Sequence, residues 1–227
     1  MHVGAALDVD GMHPGLTAYG YLRSIAAAYG ISRKRVLDVL EQVGLRSAMQ
    51  KRVESFSLGM KQRLNIAGAM LGDPHVYIFD ESLNGLDVEG ITWFRRLMEN
   101  LSKDGKTVLV SSHQMSELEL FAQRVIVIGG GRVLADAMTS ELLGVVTSVM
   151  TPDSSKLTDV LTSHGYRFED VGQEFVVYGV SPSVMGELAA LNGIILHGLT
   201  AKRSSLENVY KRLVENSLEF RAIETSR

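Results

Sequence analysis

The chain has 227 residues, 45% of them hydrophobic and 22% charged, with 23 Lys and Arg against 26 Asp and Glu for a formal net charge of −3. These proportions are ordinary for a globular protein and exclude a disordered, collagen-like or coiled-coil chain; the slight acidity leaves no overall basic field to hold nucleic acid. With no cysteine there are no disulfides, thiolate zinc sites, iron–sulfur clusters or thiol nucleophiles, which fits a cytosolic setting.

After a glycine-rich opening that contains Pro14, apolar residues recur at helical spacing through Leu16 to Tyr29 and Val36 to Val43, the second stretch capped by Ser32. Gly59 to Leu71 is again helical and is stopped by Asp73-Pro74, before Val76-Tyr77-Ile78-Phe79, a short apolar run suited to a buried parallel strand. An amphipathic helix over Val88–Leu101, a second buried run at Thr107–Val110, a helix over Met115–Ala122 and a third run at Val125–Ile128 follow. Strands alternating with helices predict an α/β fold with a parallel sheet. Gly129-Gly130-Gly131 then joins Val125–Ile128 to Arg132–Ala135 as a hairpin.

Beyond Gly144 the texture changes to shorter strands at Val145–Met150, Phe175–Tyr178 and Ile194–Leu199, interleaved with helices at Lys156–Ser163, Val184–Leu191 and Leu206–Val214. This predicts an α/β domain over residues 1–144 and a small α+β domain over 145–227. The longest stretch free of charged side chains, Leu188 to Ala201, has 14 residues, short of the roughly 20 that span a bilayer. The opening residues carry neither a basic leader nor a long apolar run, so the chain is expected in the cytoplasm.

The densest chemistry lies in Val76-Tyr77-Ile78-Phe79-Asp80-Glu81, a strand that delivers two adjacent carboxylates at its C-terminal tip, where α/β sheets bind ligands. An Asp in that place can hold Mg²⁺, directly or through water, and the neighbouring Glu can orient or deprotonate a water for in-line attack on a phosphate. Taken alone, the pair could equally be two solvated loop residues. Upstream, Phe56-Ser57-Leu58-Gly59-Met60-Lys61-Gln62-Arg63-Leu64 is a loop that opens a helix, whose exposed N–H groups favour an anion. Downstream come Ser82-Leu83-Asn84-Gly85-Leu86-Asp87 and then Val108-Leu109-Val110-Ser111-Ser112-His113, which sets a histidine at the end of the next strand.

Each segment alone is a weak signal, but the ordered set resembles the nucleotide-binding subunit of ATP-binding cassette (ABC) transporters: signature loop, Walker B strand with its glutamate, D-loop and switch histidine. Val3-Gly4-Ala5-Ala6-Leu7-Asp8, with Pro14 and Leu16-Thr17 after it, looks like the Q-loop and the start of the helical subdomain in bacitracin- and drug-exporter types. Asp8 stands where that family usually has glutamine or glutamate. Leu58 replaces the first signature glycine and Met60 its glutamine, both as in the exporter subfamily, whereas Ser82 replaces the more usual proline. The likeness runs from Val3 to Leu143, and residues 145–227 resemble the C-terminal extension of the same exporters.

The resemblance implies ATP and Mg²⁺ as ligands, with Asp80 holding Mg²⁺ through water, Glu81 acting on the attacking water and His113 touching the γ-phosphate. Ser57 and the Gly59 amide would bind ATP held by a second cassette in a head-to-tail dimer, Asp8 would reach towards Mg²⁺ and water, and Asp87 would communicate across that dimer. The helical subdomain, about residues 14–72, would receive a coupling helix from a separate transmembrane permease subunit, placing the chain at the inner face of the cell membrane.

A Gly-x-x-x-x-Gly-Lys-Ser/Thr loop, which cradles phosphates in this family, is absent from the sequence: Gly105-Lys106-Thr107 follows Asn100 rather than glycine and runs from helix to strand. The reading is therefore an incomplete ABC cassette, N-terminally truncated, and inactive by itself. The alternative is a regulatory or inactive cassette without a phosphate loop, which hydrolyses nothing. A soluble cassette acting on ribosomes or DNA would show twin cassettes, a long coiled-coil insertion or a basic surface, and the sequence has none of these.

Overall fold

The computed structural model describes residues 2–7, 9, 11–172 and 174–216. Two compact units result, Met1–Phe121 and Ala122–Arg227. The hairpin at Arg124–Met138 thus falls in the second unit, ahead of the boundary at 144 expected from the sequence.

The first unit contains β1 (Val3–Ala6), α1 (Ala18–Ala28), α2 (Arg33–Gln42), α3 (Leu58–Met70), β2 (Val76–Asp80), α4 (Val88–Lys103), β3 (Thr107–Ser111) and a short α5 (Met115–Leu118). Its sheet is parallel in the order β1-β2-β3, with Ala6 opposite Phe79, Phe79 opposite Val110, and Asp80 opposite Ser111. The opening, which the sequence presents only as glycine-rich, is thus an edge strand. Its glycine has a packing reason: a Cβ on Gly4 would lie 2.2 Å from the Ala69 carbonyl oxygen, so α3 rests directly on β1.

Alternation along the strands sends Ala6, Tyr77 and Phe79 into the core, where Phe79 meets Phe94 of α4 edge to face at 5.7 Å. Burial pushes the Tyr77 phenol up to about 12. The opposite face of the sheet leaves Val3, Leu7 and Leu109 exposed.

Ser57, Thr17 and Ser32 cap α3, α1 and α2 through their hydroxyls, the last as its position before an apolar-periodic run predicts. The far end of α3 is closed by Arg35 from α2, which donates to the Met70 and Leu71 carbonyls at 2.6 and 3.2 Å. Trp93 of α4 donates to the Gln42 carbonyl at 3.1 Å and receives the Arg63 guanidinium over its ring. The helical layer is thereby tied to both helices that flank the sheet.

The second unit opens with the antiparallel pair β4 (Arg124–Gly129) and β5 (Arg132–Met138). The run at Val125–Ile128, expected both as a third buried run of the α/β sheet and as a hairpin with Arg132–Ala135, pairs among the described residues with that hairpin partner. After α6 (Thr139–Leu142) the chain runs β6 (Val145–Met150), α7 (Ser154–Ser163), β7 (Arg167–Asp170), β8 (Phe175–Tyr178), α8 (Pro182–Leu191), β9 (Gly198–Arg203) and α9 (Leu206–Asn216). The sheet order β7-β8-β6-β9, antiparallel throughout, makes β6 to β9 a split β-α-β-β-α-β module of the ferredoxin-like kind. Val149, Phe175 and Val177 form a core with Leu157, Leu161, Met185 and Ala189 of α7 and α8.

Two details differ from the sequence reading. Strand β7, Arg-Phe-Glu-Asp, carries one apolar residue at an edge and gives little hydrophobic signal. Of the apolar run at Ile194–Leu199 only Gly198 and Leu199 lie in β9, which continues to Arg203, and Ile194 is buried in the core from the turn after α8.

Candidate active site

Strand β2 ends at Asp80, and the backbone then turns sharply: Glu81 has φ +47°, in the left-handed region that costs a non-glycine residue of order 1–3 kcal/mol. The neighbouring strand end holds this turn from one side. The Glu81 N–H donates both to the Ser111 carbonyl at 3.2 Å and to the Ser111 hydroxyl at 3.0 Å, and the same hydroxyl donates to Asp80 Oδ1. From the other side the Asn84 N–H donates to the Glu81 carbonyl at 3.0 Å, and Gln62 Nε2 from α3 reaches the same oxygen at 3.4 Å.

The side chain of Glu81 is thereby aimed at His113, whose Nδ1 lies 2.9 Å from Oε2, and Asn84 Nδ2 donates to the same oxygen at 3.3 Å. Gln114 completes the chain by donating to Asn84 Oδ1 at 3.4 Å. Both members of the His113–Glu81 pair are substantially exposed, so their contact serves orientation more than stability.

Asp80, Glu81 and His113 thus come together at the C-terminal edge of the parallel sheet, as their sequence positions predict. Ser57 and Gly59 sit apart from that trio at the start of α3. Ser57 Oγ accepts the Met60 N–H at 3.2 Å, which leaves its own hydroxyl proton free to donate. A Cβ on Gly59 would stand 2.9 Å from the Gly85 carbonyl oxygen, so the helix start interlocks with the loop that follows Glu81. Asp87 is occupied locally: its Oδ1 accepts the Gly90 N–H at 2.8 Å and caps α4. Asp8 lies outside the described residues; the carbonyl of its neighbour Leu7 accepts from Asn65 Nδ2 at 2.9 Å.

Ser111, Asn84 and Gln62 escape the sequence reading. Each lies inside a quoted motif, but a serine, an asparagine or a glutamine in a loop or helix carries no signal of what it bonds. Only the register that sets Asp80 opposite Ser111 brings that hydroxyl to two neighbours at once.

The donor set suits a hard cation. Asp80 presents a carboxylate beside a serine hydroxyl, all oxygen, and no cluster of three or more His, Cys, Asp or Glu gathers among the described residues. Such a site fits an ion that keeps most of its waters and shares them with a phosphate, as Mg²⁺ does, and not a caged zinc.

Comparison with known proteins agrees with this geometry. A family model described as ABC transporter matches residues 2–84, and one described as a domain of unknown function, DUF8746, matches residues 146–207. The chain is 31% identical over 230 residues to the bacitracin transport ATP-binding protein BcrA of Enterococcus faecalis, covering 93% of this chain and 72% of that protein. To the protein of the same name from Bacillus licheniformis it is 34% identical over 222 residues, with 93% and 72% covered. Among solved structures, cbiO1 of Clostridium perfringens, part of the ABC transporter complex cbiONQ, shares 27% identity with TM-score 0.53, over 62% of this chain and 58% of that one. A dimeric ATP-binding cassette in a post-hydrolysis state, bound to ADP and phosphate, shares the fold at 24% identity and TM-score 0.56, over 61% and 63%.

Fold and site together define an ATPase cassette, incomplete in the sense that the phosphate loop is not among these residues. The chain belongs to the ABC transporter ATP-binding proteins, in the group of the bacitracin and drug exporters. It spans nearly three quarters of those bacitracin relatives and about three fifths of the two solved cassettes. No helix among the described residues is long and apolar enough to cross a membrane.

Proposed function

We propose that this chain supplies the hydrolytic and signature groups of an exporter ATPase that works on a separate transmembrane permease, held at the inner face of the cell membrane. The observation that carries the reading is the convergence of Asp80, Glu81 and His113 at the tips of two parallel strands, with Glu81 held in a left-handed turn from both sides. In this reading Glu81 takes the proton of the water that attacks the γ-phosphate of ATP, and His113 holds the Glu81 carboxylate in line and contacts that phosphate. Asp80, steadied by Ser111, would hold Mg²⁺, which supplies charge neutralisation of the phosphates when bound.

Ser57 and the Gly59 amide, at the open N-terminus of α3, bind the γ-phosphate of ATP carried by a second cassette facing head to tail. Asp87 belongs to the same interface, and Asp8 serves the water and Mg²⁺ side. The helices between residues 14 and 72 receive the permease, and residues 145–227 act as an accessory domain.

The test supplies a phosphate loop. The chain is joined behind the corresponding N-terminal segment of a bacitracin-type relative and compared with its Glu81→Gln variant. Turnover should fall by a factor of roughly 10² to 10⁴, the usual contribution of a general base, with ATP binding retained. Near-normal turnover in Glu81→Gln removes Glu81 from the mechanism. If the wild-type fusion binds ATP but does not turn it over, the reading as a regulatory cassette replaces this one.

A further inference from the structure

Gln62 is 5% exposed, in the middle of a helix whose other inward positions are mostly apolar. Its amide is only half used: Nε2 reaches the Glu81 carbonyl, while Oε1 is buried with no hydrogen-bond partner among the described residues. An orphaned buried oxygen is unfavourable, and an apolar side chain of the same shape would relieve it. A local rule broken in this way is expected where a function holds the residue in place. The atom that Gln62 does use is the carbonyl of the one residue in this turn with a strained left-handed backbone. Among the described residues that peptide has no other side-chain donor on its carbonyl, since Asn84 approaches it through its main chain.

We infer that Gln62 is a positioning residue: it pins the Glu81 peptide in the left-handed conformation that aims the Glu81 carboxylate at His113. The inference rests on the reading of Glu81 given above and extends it, because α3 begins with the signature residues Ser57 and Gly59 and carries Gln62 one turn further on. A displacement of α3 caused by a nucleotide at its N-terminus is therefore transmitted to the glutamate of the subunit's own site. Released from Gln62, the peptide is free to relax towards negative φ, and the carboxylate swings away from Nδ1.

The experiment is Gln62→Met in the full chain, a swap of similar length and volume. The melting temperature should stay level or rise, since the orphaned oxygen is gone. The Asn84 amide, which donates to the Glu81 carbonyl, should exchange with deuterium about five- to tenfold faster, the factor that one ordinary hydrogen bond accounts for. The His113 ring resonances should move as the carboxylate leaves. Gln62→Glu keeps a donor of the same reach, because a carboxyl buried there holds its proton, and should return both signals to wild-type values. Unchanged Asn84 exchange with unmoved His113 resonances overturns the proposal. So does a Gln62→Met protein that melts several degrees lower or does not fold, which makes Gln62 a packing residue, or a Gln62→Glu protein that restores neither signal. None of these readouts involves hydrolysis, so failure here is distinct from failure of the Glu81→Gln assay.

Discussion

Helix α3 contains two glycines for which the same substitution should have opposite effects. Gly68→Ala places a Cβ 3.6 Å from Ile25 Cδ1, an ordinary contact, and removes a helix-interior glycine. The expected gain is up to about 1 kcal/mol, from helix propensity and reduced freedom of the unfolded chain. Gly59→Ala enjoys less of that gain because it sits in the first turn, and its Cβ stands 2.9 Å from the Gly85 carbonyl oxygen and 3.8 Å from Leu86 Cα. Both neighbours are backbone, so a gap of some tenths of an ångström must open between helix and loop. Overpacking of this size costs about 1–3 kcal/mol. The net for Gly59→Ala is a loss of about 1 kcal/mol, or roughly 3–5 °C in melting temperature for a unit of this size. Urea denaturation of the two variants and the wild type, followed by tryptophan fluorescence of Trp93, measures both. If Gly59→Ala is as stabilising as Gly68→Ala, the interlock between the helix start and the 84–87 loop is not real.

Ser111→Ala should destabilise the first unit by about 1 kcal/mol, since it removes the donor to an exposed Asp80 and one of two acceptors for the Glu81 N–H; Ser111→Thr keeps the hydroxyl and should lose little, and equal losses in the two would count against the hydroxyl's role. In the second unit, hydrogen bonds from Lys202 and Ser148 hold the Glu174 carboxyl below its usual range. A depressed carboxylate stabilises above its unfolded pKa and loses that contribution as pH falls through the folded value, so stability should drop between about pH 5 and 3. Lys202→Met should flatten that slope, as should high salt for a pair this exposed, and an unaltered acid limb would exclude Glu174 as its source.

The chemistry at the strand tips was legible because it depends on order: a buried run ending in Asp80-Glu81, a glycine-marked helix start before it, and a histidine after the next run. The helical layer was legible from its apolar periodicity, and Ser32 announces the helix that it caps. Features that depend on pairing were not. Gly129-Gly130-Gly131 announces the hairpin of Val125–Ile128 with Arg132–Ala135, but that run reads like the buried runs before it, and nothing in four apolar residues says whether it also joins the parallel sheet. Strand β1, two of whose four residues are alanine beside a glycine, carries too little hydrophobic signal to be distinguished from a loop. The φ of Glu81 is set by Ser111, Asn84 and Gln62 together, three residues distant in sequence from one another or bonded through main chain, so no local pattern could announce it. The β6–β9 module shows the same limit, because its helices and strands can be counted from the sequence while the order β7-β8-β6-β9 cannot.

The cap that Asp87 places on α4 has a thermodynamic consequence for assembly. Only its Oδ1 accepts the Gly90 N–H, so a group on a second cassette that engages Oδ2 leaves the cap in place, whereas one that draws Oδ1 away gives it up. Withdrawing Oδ1 would leave the first turn of α4 uncapped, at about 1 kcal/mol per subunit, which weakens association about fivefold for each subunit so engaged. The Gly90 amide is then a gauge of which oxygen dimer closure takes: protected in the isolated chain, it stays so on assembly if Oδ2 meets the partner and exchanges faster if Oδ1 does.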